Sequence, residues 1–219
     1  MRNLLFVLSL TILFVGCTTN KVTEQQVNSS KPTTTEEVSK IENPTEQRPD
    51  ENLASFFPPD GSTAYFVGEG NEFASFSLQT TFIDDTHIAQ IEDNGGVTIL
   101  KVYRLTDSAI VLVSKEAVDS TPLIPTAQEA ASFSIIEPIL QQPFEVGNSF
   151  AGWTIQSTTA TVDTGTTVYH DVIQLTRSED TMTTQKYFAK GIGLIRIEDT
   201  MKTDNEKPFV VTSTLQTIE

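Results

Sequence analysis

Gln185-Lys-Tyr-Phe-Ala-Lys-Gly-Ile-Gly-Leu-Ile-Arg-Ile-Glu-Asp-Thr200 reads as a strand, a glycine turn and a returning strand. Lys190-Gly191 supplies the turn, because Gly191 can take positive φ without steric cost. Gly193 has no side chain, so it suits a bulge or the close approach of a neighbouring ring such as Tyr187 or Phe188. Tyr187, Gly191 and Gly193 thus have structural work before any chemistry is assigned to them.

The same two-residue period runs outward from this hairpin in both directions. Ala74, Phe76, Leu78, Thr80 and Phe82 fall on one face of a strand, with Ser75, Ser77 and Gln79 on the other. Val97, Ile99, Lys101, Tyr103 and Leu105 alternate with Thr98, Leu100, Val102 and Arg104, a pattern that predicts burial on both faces. Further strand runs are His87 to Glu92, Ala109 to Lys115, Phe133 to Ile139, Trp153 to Val162, Thr167 to Thr176, Met182 to Ala189, Ile192 to Asp199 and Phe209 to Ile218. Asp93-Asn94-Gly95-Gly96, Thr106-Asp107-Ser108, Asp163-Thr164-Gly165, Ser178-Glu179-Asp180 and Asp204-Asn205-Glu206 are turn chemistry. Runs this closely spaced pair antiparallel with their neighbours. The expected class is all-β: an antiparallel meander forming a curved sheet, a half-barrel or a two-sheet sandwich. Glu116 to Gln128, with Pro122 and Pro125, breaks the rhythm and predicts a crossover loop. Thr126-Ala-Gln-Glu129 at its end has the spacing of a helix capping box.

Segments around Tyr65 and Phe150, Tyr103 and Tyr187, and Ile110 to Val113 and Leu194 to Ile197 recur at offsets of about 85 residues. They raise a tandem duplication, with halves 53–118 and 143–219, beside the plain resemblance of short strands to one another.

The N-terminus has a different logic. Met1 to Gly16 carries Arg2 and the apolar run Leu4 to Val15, which is a signal peptide and too short to span a bilayer. Phe14-Val15-Gly16-Cys17 resembles a bacterial lipobox, departing from it at Phe14, with cleavage after Gly16 and lipidation of Cys17; ordinary secretion with a free Cys17 thiol is the alternative. That resemblance implies acyl chains such as palmitate holding the protein to the outer face of the cell membrane. Two or three such chains make release very slow. Residues 17–52 are rich in Thr, Glu, Gln and Ser and contain no aromatic residue, so they read as a disordered tether. Residues 53–219 form one domain by length.

That domain holds 22 acidic and nine basic residues. Such a field repels nucleic acid and anionic surfaces, so no nucleic-acid partner is expected and a monomer is. Catalytic candidates are few. Gly147-Asn148-Ser149-Phe150-Ala151-Gly152 only approaches a nucleophile-elbow motif and lacks its strand-to-helix setting, and a turn is the simpler reading. Gly68-Glu69-Gly70 opens no helix and cradles no phosphate. His87 and His170 sit in strands, and the neighbours His170 and Asp171 would point to opposite faces. The acidic pairs Asp84-Asp85, Glu92-Asp93 and Asp204 with Glu206 lack calcium-loop spacing. The sequence therefore predicts no catalytic residue, metal or cofactor.

Tyr187-Phe188-Ala189-Lys190-Gly191-Ile192-Gly193-Leu194-Ile195, with Pro143-Phe144-Glu145-Val146-Gly147, Trp153-Thr154-Ile155 and Gly68-Glu69-Gly70-Asn71-Glu72-Phe73-Ala74, resembles a family of cell-surface lipoproteins of Gram-positive bacteria. The likeness covers most of Phe56 to Thr200 and departs at Asp163-Thr164-Gly165-Thr166. It implies an extracytoplasmic β-rich domain and brings no catalytic residues with it. Two main function classes follow: a binding module for an apolar ligand or an envelope protein, or a passive spacer. A third, less favoured, is an envelope hydrolase with carboxylates assembled from distant strands. Two carboxylates facing each other in a cleft would mark the enzyme, an open groove lined by Phe, Ile and Trp a ligand carrier, and a closed, filled core would leave only surface recognition.

Overall fold

The computed structural model describes residues 52–119, 122–203 and 207–219. The signal peptide, its Gly16 cleavage point, Cys17, nearly all of the tether and the turn Asp204-Asn205-Glu206 lie outside the described residues. A single 3-10 turn, Leu53–Phe56, comes first. Six strands follow: β1 Thr63–Glu69, β2 Phe76–Phe82, β3 His87–Asp93, β4 Thr98–Leu105, β5 Ala109–Val118 and β6 Glu137–Gln141. Helix α1, Ala127–Ser132, lies between the last two. Six more complete the chain: β7 Ser149–Phe150, β8 Trp153–Asp163, β9 Val168–Glu179, β10 Met182–Ala189, β11 Gly193–Met201 and β12 Phe209–Ile218.

All twelve described strands belong to one antiparallel sheet, in the order β6-β5-β4-β3-β2-β1-β12-β11-β10-β9-β8-β7. Each run of six is a meander, and β1 pairs with β12 to join them. Residues 142–148 link β6 to β7, so the two ends of the sheet are held near each other and the sheet is almost a closed barrel. This is the curved form expected from the sequence, and the two-sheet alternative is set aside.

Strand pairing fixes which side chains face inward. Leu78 lies opposite Glu92 and Thr80 opposite Gln90, while Gln90 lies opposite Lys101 and Ile88 opposite Tyr103. In the other half Ile197 lies opposite Lys186, Lys186 opposite Leu175, and Leu175 opposite Ile155. The main interior cluster unites Ile88, Tyr103, Ile110, Leu112, Leu140, Trp153, Ile155, Ile173, Leu175 and Phe188 with the N-terminal Leu53, Phe56 and Phe57. The first two aromatics behave as a plug: Phe56 meets Phe144 edge-on at 5.3 Å, and Phe57 meets Tyr103 at 5.2 Å. A second cluster brings Val162 and Val172 of the long β8–β9 hairpin against Ala64, Phe66, Leu78, Ile195 and Leu215. The tip of that hairpin is fastened to β12, where Thr166 Oγ1 donates to the Gln216 carbonyl and the Gln216 amide donates to the Thr164 carbonyl.

Strand β4 is buried on both faces, as its composition predicts. Its outer side, with Val102, Val111 and Val113, is covered by Ala130 of α1 and by Phe133. The capping box forms as read: Glu129 N–H donates to Thr126 Oγ1 at 3.3 Å, and Thr126 N–H donates to Glu129 Oε2 at 2.8 Å. The expected crossover is corrected, however. After α1 the chain returns to β6, which pairs beside β5, so the segment is a long outer connection between adjacent strands. It is needed because the outer face of β4 and β5 is apolar and requires a cover.

The diagnostic hairpin forms with one change. Ile192 N–H donates to the Ala189 carbonyl, and Gly191 has φ +81° at the turn position that favours glycine. Gly193, at φ +92°, is approached by the N-terminal plug and not by the ring of Tyr187 or Phe188: a Cβ there would lie 2.9 Å from the Phe56 carbonyl oxygen and 3.1 Å from Pro58. Gly191 N–H also donates to the Ser55 carbonyl at 2.6 Å. The hairpin is thus the seat of the plug. Gly191→Ala, with open space around its Cβ, should cost about 1 kcal/mol through positive φ alone, and Gly193→Ala about 2–4 kcal/mol because strain and collision combine. Urea denaturation of the two variants checks the order; equal losses would contradict the seating of the plug.

Candidate functional site

Inward-facing residues of β2 to β6, β10 and β11, together with Phe56 and Phe57, enclose a cavity of about 130 Å³. Its wall is mostly apolar: Leu78, Ile110, Leu112, Ile139, Phe188, Leu194 and Ile197 join the two phenylalanines. Into this wall are set five charges, Lys101, Lys115 and Lys186 against Glu92 and Glu137. A larger, more open hollow of about 480 Å³ also borders Phe56, with Phe144, Thr158, Asp171 and Lys190, but it gathers no comparable cluster.

The charges are not equivalent. Lys101 Nζ donates to Glu92 Oε2 at 2.6 Å, a neighbouring-strand pair that leaves neither charge unmatched. Arg177, on β9, reaches Glu179 at 3.1 Å and Glu137 of β6 at 3.7 Å. Arg177 and Lys186 both lie against the ring of the buried Trp153, their charged groups 4.7 and 4.8 Å from its centroid. Among the described residues Lys186 makes no hydrogen bond and no ion pair, so the indole is its one polar contact. Burial lowers its pKa from 10.5 to about 8, assisted by Lys101 and Arg177 and opposed by Glu137 and Glu92. Tyr103, which lines the same cavity, is buried, and burial with Glu92 and Glu137 nearby pushes its phenol well above the usual range. Its hydroxyl also makes no hydrogen bond among the described residues.

The residues singled out from the sequence have other places. His87 is held in a structural chain. Its Nδ1 lies 3.0 Å from Asp84 Oδ2, and Arg104 Nε lies 3.1 Å from its Nε2. Arg104 can only donate, so Nε2 accepts and Nδ1 carries the proton toward Asp84. The same guanidinium caps the end of α1 through the carbonyls of Ala130, Ala131 and Phe133. Burial alone would raise the Asp84 pKa, but hydrogen bonds from Thr86 and His87 bring it to about 2. His170 is exposed against Thr161, and Asp171 beside it takes φ +53°. Ser149 bonds to Thr154 at 2.9 Å on the surface. Tyr187 faces outward, its hydroxyl donating to Gln185 Oε1 and accepting from Gln174. No group of three His, Cys, Asp or Glu side chains suited to a metal occurs among the described residues.

Sequence reading missed the cavity residues Lys186, Phe56 and Phe57, and Trp153 and Arg177 in contact with one another beside Lys186, and it missed strands β1 and β7. A usable signal existed: Lys101 occupies an inward parity between Ile99 and Tyr103, a charge where the alternation calls for an apolar residue. No family model matches the chain, no curated protein is similar to it, and no solved structure matches it.

Because Lys186 is depressed in the fold, the unfolded chain holds a proton between about pH 8 and 10.5 that the folded chain has released. Stability from this group therefore rises with pH across that window, and its penalty is fully present below pH 8. Lys101, Arg177, Glu137, Glu92 and Tyr103 face it throughout. Lys186→Met should raise stability at pH 7 by about 1–3 kcal/mol and flatten the rise between pH 7.5 and 9.5. Thermal melts at several pH values test this; an unchanged slope would show that Lys186 is not the titrating group.

Proposed function

We propose that this chain is a lipid-anchored binding protein of the cell envelope, held at the outer face of the membrane through Cys17, whose barrel interior takes an apolar ligand. The observation that carries the reading is a cavity walled by Phe, Leu and Ile inside an otherwise packed interior. An interior meant only to fill itself would place apolar side chains there, not unmatched donors such as Lys186 and Tyr103. The hydrolase alternative needs two carboxylates free to exchange a proton with a substrate. The two carboxylates at this cavity are instead occupied, Glu92 by Lys101 and Glu137 at longer range by Arg177.

Two experiments bear on the two parts of the proposal. Cys17→Ser should release the protein to the medium or leave an uncleaved precursor; a processed, membrane-bound variant would remove the anchor. Calorimetric titration with 1-octanol should show one saturable site, weakened at least fivefold by Ile139→Phe, which narrows the cavity. Absence of saturable binding in the folded protein would remove the ligand.

A further inference from the structure

The domain carries 22 acidic and nine basic residues, yet three of those nine bases, Lys101, Lys115 and Lys186, line one small cavity against two glutamates. The cavity is the one place described here where an acidic protein turns a basic face inward. Lys101 is matched by Glu92 at 2.6 Å, and Lys115 is exposed at the rim. Lys186 remains: an ammonium stacked on Trp153, with Glu92 and Glu137 in the same wall but no described carboxylate or acceptor within ion-pair or hydrogen-bond distance, at the edge of an apolar space. Tyr103 contributes a second donor to the same space. Lys186 is half-buried, and a cation drawn partly out of water is costly unless paired.

Resting on the reading of the cavity as a ligand site, we infer that the ligand is an anionic amphiphile, a carboxylate or phosphate head on an apolar chain. Its head group is held by Lys186 and Tyr103 while its chain lies against Phe56, Leu112, Ile139 and Phe188. An oxyanion accepting from an ammonium and a phenol makes a charge-assisted contact that is much stronger in a low-dielectric wall than in water. A neutral head would leave the lysine unmatched, and a cationic head would add repulsion. The volume of about 130 Å³ suits the head and first carbons of such a molecule. Burial of Lys186, which brings its pKa down to about 8, agrees with a charge that lacks its counter-ion.

Trp153 is the only tryptophan in the chain and touches Lys186 directly, so its emission reports the site. The full chain carrying Cys17→Ser is titrated with octanoate, 1-octanol and octylamine at pH 7. Octanoate should shift the Trp153 emission with an affinity at least tenfold above that of octanol, and octylamine should bind more weakly than either. Lys186→Met should erase the octanoate preference while keeping octanol binding, and Tyr103→Phe should reduce the preference by a smaller factor. Lys186→Arg, which keeps the charge, should retain most of it. Equal binding of octanoate and octanol, or an undiminished preference in Lys186→Met, would overturn the anionic head group and leave the apolar ligand standing. Failure of octanoate and octanol alike to bind would remove the ligand reading itself, and this inference with it.

Discussion

Pairing of β1 with β12 is the constraint on which the rest of the barrel depends. Every other rung of the described sheet joins strands that are neighbours in sequence, and all of these but β5–β6, with its long connection, are short hairpins that form with little loss of chain entropy. The β1–β12 ladder instead brings together segments some 150 residues apart, for which loop closure costs about 4–5 kcal/mol. Ala64 meets Ile218 and Phe66 meets Leu215 across it. Thr63 and Glu219 exchange both backbone hydrogen bonds at its end. The stacked pair Phe66 and Phe76, 4.4 Å apart, stands behind the ladder. Without it two six-stranded meanders would each expose an apolar face; with it those faces become one interior.

The alternation of apolar and polar side chains made most of the fold legible, since ten of the twelve described strands were expected near their observed places. Met182–Ala189 and Phe209–Ile218 coincide with the expectation, because turn residues bound them closely. Strand β1 escaped because Thr63–Glu69 mixes small and exposed residues, and β7 because two residues carry no period. The cavity was less legible for a different reason. It is assembled from β2 to β6, β10, β11 and the N-terminal plug, and nothing local in the sequence says that Phe56 lies over Gly193. Turn chemistry explained why Gly193 lacks a side chain in general terms, whereas its partner is a tertiary fact. The recurrence near 85 residues has a structural counterpart: Tyr103 lies on the fourth strand of the first six and Tyr187 on the fourth of the second, each beside a shift of register.

The distribution of charge is itself informative. The domain carries 22 acidic residues against nine basic ones. The interior departs from that balance in the one region where burial makes each charge expensive. Lys101 and Glu92 offset one another, and Arg177 shares itself between two glutamates and an indole. Lys186 has only the indole in direct contact, so the fold tolerates a destabilising group there.

The two ends of the sheet, β6 and β7, share no backbone ladder. Among what spans them are a seven-residue link and an Arg177–Glu137 contact at 3.7 Å. Leu140, Phe144, Phe150 and Trp153, from the elements on either side, are buried together in the main interior cluster. The barrel is therefore closed along one line by side-chain packing and along every other described line by backbone hydrogen bonds.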